Sequence, residues 1–398
     1  MGIQINGTND TISANDGSLS VAGLDTVGNL SVTGDLSVTS INSGPLAGSR
    51  NRIINGDMRI DQRYAGVSTT SYNTFGFVLD RFAIGTSGLG TATIQRVADA
   101  PVGFSSSLKW TTTGARTPTT SENFYISQPI ETLNVEDLSY GTASAETTTL
   151  SFYVKSSLTG TFGCSLQAYN STSAVNPHKS YVFNYTINSA NTWEYKTQTI
   201  PGNTLTTLSP GSAKGLAVGW SMGAGSGVQT SILNTWGDNF GTSTTATSVI
   251  STLNATFQLT GVQLEVGSVA TPFERRPYGQ ELALCQRYYY KVFPGVLGKI
   301  LATGGNCDST IYAYSTVSFP VTMRTAPSTL EQTGTATDYA VYHSGTTTVC
   351  SAVPAINNTT SQNVALTTFT VASGLTVGRV AAIGANSASA YLAWSAEL

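Results

Sequence analysis

Apolar and polar positions alternate over much of this chain, most clearly across residues 256–291. Apolar side chains fall at Phe257, Leu259, Val262, Leu264 and Val266, with one slip at Thr260-Gly261. A period of two with a single slip predicts a half-buried strand carrying a bulge. Pro272 and Pro277 then stop any ladder, and Glu274, Arg275 and Arg276 between them set three charges in a row, which predicts a domain edge. From Tyr278 the period lengthens. Leu282, Cys285 and Tyr289 recur at i, i+3 and i+7, with Glu281 in the first turn and Lys291 at the end, so a helix is expected. Tyr288, Tyr289 and Tyr290 would point about 100° apart on that helix. They cannot all enter one core, and at least one should reach a neighbouring domain or subunit.

Upstream, β-rich runs at 84–97, 150–154, 164–169, 181–187, 193–200, 216–222 and 257–266 recur between turn signals, a spacing that suits a two-sheet sandwich. Downstream, residues 292–398 hold at least five more alternating or apolar runs between Gly and Asn turns, so a second β-domain is expected. Residues 1–49 differ: GSLSVA at Gly17, GNLSVT at Gly28 and GDLSVT at Gly34 form a short repeat. Each unit puts Leu and Val two apart on one face and restarts at a glycine. So narrow a strip cannot bury itself, and identical strips from sister chains are the simplest partners; a flexible Ser/Gly/Thr leader is the alternative. The expected fold class is therefore all-β: an extended, intertwined N-terminal arm (1–49), a β-sandwich jelly roll (50–275), a junction helix (276–291) and a C-terminal β-domain (292–398).

Composition sharpens this picture. Charged residues make up 10% of the 398, against about 25% in a typical soluble protein. Thr, Ser, Asn and the 40 glycines take their place, which suits strands and tight turns rather than a helical bundle. The net charge is −3 and the basic residues are scattered, so no face is seen that would neutralise a run of phosphates, and nucleic acid is not an expected partner. No apolar run approaches the length that spans a bilayer, the first ten residues lack a secretory pattern, and Asn6 stands where a myristoylation signal wants Ser or Thr. Cys164, Cys285, Cys307 and Cys350 are far apart and spell no zinc site; buried free thiols are expected, with a Cys307–Cys350 bridge as the alternative.

Several strings carry a resemblance. LTGVQLEVGSVATPFERRPYGQELALCQRYYY, NRIINGDMRIDQR with the following LDRF, FPVTMRTAPSTL and the closing AWSAEL resemble tail-fibre and other virion structural proteins of tailed bacteriophages, especially those of marine cyanobacterial phages. INGDMRI and FQLTGVQLEVG also resemble the opening and closing strands of the galactose-binding-like jelly roll used by many carbohydrate-binding modules. Those modules commonly hold a structural calcium with acidic residues near these strands. Here Arg59 and Thr260-Gly261 stand in the corresponding places, so no metal or other cofactor is expected, and Asp57 reads as a local hydrogen-bonding residue.

Candidate chemistry is sparse. His178 and His343 fall in different expected domains without a nucleophile motif, and both read as exposed loop residues. Glu131, Glu136 and Asp137, or Glu265, Glu274 and Glu281, are the carboxylate groups from which a glycosidase pair would have to come. Neither group is expected to be catalytic. Aromatic platforms flanked by amides and hydroxyls bind sugar faces without ionic attraction, and Trp236, Trp193, Tyr195, Tyr169 and Tyr185 are the candidates, whereas Trp220 in GLAVGWSM reads as core. Glu274, Arg275, Arg276 and Tyr288–Tyr290 are assigned to a domain or subunit junction.

Taken with these residues, the resemblance implies a non-enzymatic tail-fibre component, assembled in the host cytoplasm and incorporated in the virion tail. It would trimerise, join other virion proteins through residues 1–49 and recognise a host-surface glycan. A purely structural collar, head or tail decoration fibre is the second reading, and a polysaccharide-cleaving tailspike the third.

Overall fold

The computed structural model describes residues 49–72, 75–172, 178–238 and 241–398, so the expected N-terminal arm lies outside the described residues except for Ser49. The rest is all-β, with a single α-helix among the described residues. Two antiparallel sheets face each other in the first sandwich. One has the order Thr69–Tyr72, Thr91–Val97, Ser107–Gly114, Thr256–Val266, Thr148–Ser156, Glu194–Ile200. The other runs Trp236–Gly237, His178–Ile187, Gly160–Tyr169, Lys214–Ala224, Asn123–Glu131, Phe82–Ser87, Phe75–Leu79. Alternation along each strand turns one set of side chains into a shared core, where Trp110, Trp220, Phe82, Phe124, Phe152 and Phe162 are fully buried.

The strand Thr256–Val266 carries the expected bulge. Its register against Thr148–Ser156 slips between Thr260 and Gln263, and Gly261 has φ +61°. The carbonyls and N–H groups released there are taken by the chain's opening segment. Asn51 donates from Nδ2 to the Val262 carbonyl at 3.0 Å and accepts from the Leu264 N–H at 3.1 Å, while the Val262 N–H reaches the Gly56 carbonyl at 2.9 Å. Asn55, at φ +60°, receives the Ile60 N–H on its side-chain oxygen and donates to the Ile60 and Asp80 carbonyls. Asp57 is ion-paired with Arg59.

The helix is shorter than its pattern suggests. It covers Tyr278–Gln286, and Tyr289–Val292 is a strand paired with Leu392–Ser395, so the expectation of a helix through residue 291 is corrected. Tyr288 ends the helical turn by burying itself completely, its hydroxyl donating to Glu131 at 2.6 Å. Beyond it lie a three-stranded sheet, Tyr289–Val292, Leu392–Ser395 and Leu330–Glu331, and a seven-stranded one. The latter has the order Thr346–Val349, Tyr339–His343, Val380–Ala385, Ile300–Cys307, Tyr312–Ser318, Val364–Thr370, Ala355–Ile356. Their core holds Trp394, Tyr339, Met323 and Phe369.

Charged groups lock the two sets of sheets together. Glu131, with no exposed surface, accepts from Arg287 at 2.6 and 3.0 Å. Arg81 is buried, ion-paired with Glu397 and placed 3.6 Å over the Tyr288 ring. Arg63 pairs with Glu397 at 3.2 Å and covers the Tyr289 ring at 3.7 Å, and Arg324 donates to the carbonyls of Ser212, Ala396 and Glu397. Tyr290 stacks on Trp394 in the terminal core. All four cysteines are buried free thiols.

Candidate functional site

The outward face of the seven-stranded sheet in the first sandwich is a trough. On Asn123–Glu131, Phe124 and Ile126 point into the core while Asn123, Tyr125 and Ser127 line the trough. The same alternation on Gly160–Tyr169 sends Cys164, Leu166 and Ala168 inward and Ser165, Gln167 and Tyr169 outward. The strand between them contributes Ala217, Gly219 and Ser221, small enough to form a floor. The result is a cavity of about 220 Å³ whose walls include two tyrosines and several amides and hydroxyls. Sugar rings need that combination of an aromatic face and convergent polar groups.

Tyr125 is held across the sheet by a missing side chain. It pairs in register with Gly85, and a β-carbon at that position would fall within the ring. At the other end the Tyr169 hydroxyl donates to Gln167 Oε1 at 2.5 Å, His178 stacks on its ring at 5.3 Å, and the Lys214 ammonium lies 3.6 Å from its centroid. Burial pulls Lys214 down to about 8, and burial together with the Lys214 charge lowers His178. Burial raises the Tyr125 and Tyr169 hydroxyls, so both stay protonated donors at neutral pH. Ser165 Oγ is buried in the trough without a hydrogen-bond partner. Among the described residues no Asp or Glu side chain lines this cavity.

Of the aromatics picked from the sequence, only Tyr169 lies in the trough. Trp193 and Tyr195 belong to the opposite face of the sandwich. There Trp193 donates to Asp99 at 3.3 Å beside Lys155, and Tyr195, 45% exposed, packs on Tyr153 at 4.9 Å. Phe104, Phe273 and the Arg275 guanidinium extend this second aromatic row. Tyr185 is corrected to a core residue, wedged between Phe152 at 5.2 Å and Phe162 at 5.8 Å and closed to any ligand. Trp236 is half-buried at the sheet edge, its indole donating to the Pro201 carbonyl at 2.6 Å while its ring rests on Tyr140 and Tyr181. It seals the end of the core.

Both histidine expectations also change. His178 begins a strand and lines the trough, and His343 is buried at a strand end, bonded through Nε2 to Thr348 at 3.0 Å. Five of the six grouped carboxylates, Glu131 among them, are engaged by the chain itself, and Glu136 is exposed. Glu265 accepts from the Thr271 N–H and hydroxyl, Glu281 from the Asn55 N–H at 2.5 Å, and Asp137 pairs with Arg52. Glu274 gathers the backbone N–H groups of Ser49, Arg50 and Asn51 and pairs with Arg276, while Arg275 donates to the Gly103 carbonyl. Tyr125, Asn123, Gln167 and Lys214 were not singled out from sequence, although the alternation N-F-Y-I-S already puts Asn123, Tyr125 and Ser127 on one face.

No protein-family model matches the chain, and no curated protein matches it. Among solved structures it is similar to the enzymatically active domain of tailspike protein 4 of bacteriophage CBA120, at 14% identity and a TM-score of 0.29 over 55% of this chain. The matched part is 21% of that tailspike chain, so this chain spans about a fifth of its length. A family 11 carbohydrate-binding module of Clostridium thermocellum, solved with a β-1,3-1,4-mixed-linked tetrasaccharide, matches at 9% identity and a TM-score of 0.26, over 51% of this chain and 98% of the module. A xylan-binding domain from Paenibacillus barcinonensis matches at 15% identity and a TM-score of 0.28, over 50% of this chain and 98% of that domain.

Proposed function

We propose that the protein is a non-catalytic virion component of a tailed bacteriophage, most simply a tail fibre, that adheres to a glycan on the host surface through the trough of the first sandwich. The observation that carries the glycan part is the convergence of Tyr125 and Tyr169 with Asn123, Gln167 and Ser165 around one cavity. Tyr125 offers an apolar face for a pyranose, and the amides and the unpartnered Ser165 hydroxyl offer donors and acceptors for its hydroxyls. The virion part is supported by the strings that resemble tail-fibre proteins. Trimerisation and attachment through residues 1–49 complete the proposal. Three weak sites on one rod raise the effective concentration for the second and third contacts, so low-affinity sites give lasting adhesion.

The test is adsorption of the purified full chain to host cells, in parallel with Tyr125→Ala. Wild-type protein should bind cells and block phage attachment, and the variant should lose most of both at an unchanged melting temperature. Binding that survives Tyr125→Ala, or no binding by either protein, would reject the trough as an adhesion site.

A further inference from the structure

We propose that the glycan taken by the trough is acidic, with a sugar carboxylate seated against Lys214. The inference rests on the glycan-binding reading above and narrows it to uronate-containing saccharides.

Lys214 opens the strand Lys214–Ala224 and lies half-buried in the trough wall, its ammonium over the Tyr169 ring. Among the described residues it forms no ion pair, whereas two cations near it do. Lys179 is paired with Asp238 and Arg287 with Glu131. The register places Glu131 opposite Lys214, but that carboxylate is already taken by Arg287 and by the Tyr288 hydroxyl. A cation withdrawn from water without a carboxylate is costly, and the ring face returns only part of the lost hydration. An anion arriving from outside would supply the missing partner. The cavity can receive one: no Asp or Glu side chain among the described residues lines it, and although Leu398 borders it, no ion pair among the described residues joins Leu398 to Lys214.

The neighbouring groups fit a carboxylated sugar better than a bare anion. Ser165 Oγ is buried and unpartnered in the cavity, and Asn123 and Gln167 bring amides to the same wall. Tyr125 lies over Gly85 of the neighbouring strand at the far side. A saccharide that stacks one ring on Tyr125 and runs along the trough would meet the amides and Ser165 and bring a carboxylate to Lys214. Burial holds the free ammonium down to about 8, and a carboxylate beside it would offset that effect.

The experiment uses the full chain and a panel of oligosaccharides containing glucuronate, galacturonate or mannuronate, each printed beside its carboxyl-reduced neutral counterpart. Wild-type protein should retain acidic members and lose tenfold or more on carboxyl reduction. Lys214→Met should bind acidic and neutral members alike at the neutral level, and Lys214→Arg should restore the preference, because both retain the apolar stem over Tyr169. Equal binding of acidic and reduced members by the wild type would overturn the acidic assignment and leave glycan binding standing. A preference that persists in Lys214→Met would move the carboxylate away from this residue and overturn it as well. If no member is retained and Tyr125→Ala behaves as the wild type, the glycan-binding reading fails together with this one.

Discussion

Gly85→Ala separates the Tyr125 platform from the stability of the sandwich. Gly85 lies opposite Tyr125 in the ladder between Phe82–Ser87 and Asn123–Glu131, and its backbone is not left-handed, so alanine is tolerated conformationally. The new β-carbon would overlap the phenol ring, and normal carbon contacts of about 3.5–4.0 Å require the ring to retreat by roughly 1 Å or more. The strand gains about 0.5–1 kcal/mol from replacing glycine, and losing the cross-strand contact costs a similar amount, so net stability should change little. A ligand that stacks on the ring loses most of an aromatic contact worth about 0.5–1.5 kcal/mol, or roughly two- to tenfold in affinity. The assay is titration with a retained oligosaccharide, paired with thermal melting. Wild-type affinity at an unchanged melting temperature would refute Tyr125 as a platform. A large fall in melting temperature would refute the premise that the ring can move aside freely.

Two further outcomes follow from the buried charges. Glu397→Gln strips the partner from Arg81, which is only 1% exposed, and should cost about 3–5 kcal/mol in chemical denaturation; a change below about 1 kcal/mol would show that the Arg81–Glu397 pair is not what secures the terminal sheets. Burial raises the Asp80 carboxyl to about 6, so the folded chain holds this proton where the unfolded chain has lost it, and stability falls as pH rises from about 4 to 6. Asp80→Asn should therefore gain on the wild type between pH 4.5 and 7, by up to about 1.4 kcal/mol per pH unit; a pH-independent difference in denaturation midpoint would reject this.

Where one residue's neighbours in sequence decide its environment, the chain is easily read. The bulge at Thr260-Gly261 follows from a single slip in alternation, and Trp220 lands in the core because its strand is apolar on both sides in sequence. Asn123–Glu131 is not among the runs that alternation marks out, and Pro129 lies within it; the proline is tolerated because its register partner, Ala217, lies on one side while the Phe82–Ser87 ladder stops at Ser127. That omission hid Tyr125 and half the trough. Choosing aromatics by type rather than by face placed Tyr185 at the surface, although it alternates with Tyr181 and Phe183 on the core side. Lys214 and Ser165 are recognisable only when strands far apart in sequence lie side by side, a property of topology that no local pattern records.

The opening segment is held by residues made long after it. Glu274 captures the Ser49 N–H across 225 positions and Glu281 the Asn55 N–H across 226, while Arg81 waits for Glu397. Loops of that length close late and slowly. The central strand Thr256–Val266 is the last of its sheet in sequence, so on the ribosome that sheet closes only after its other five strands have emerged, and the opening segment is secured only when Glu274 and Glu281 follow.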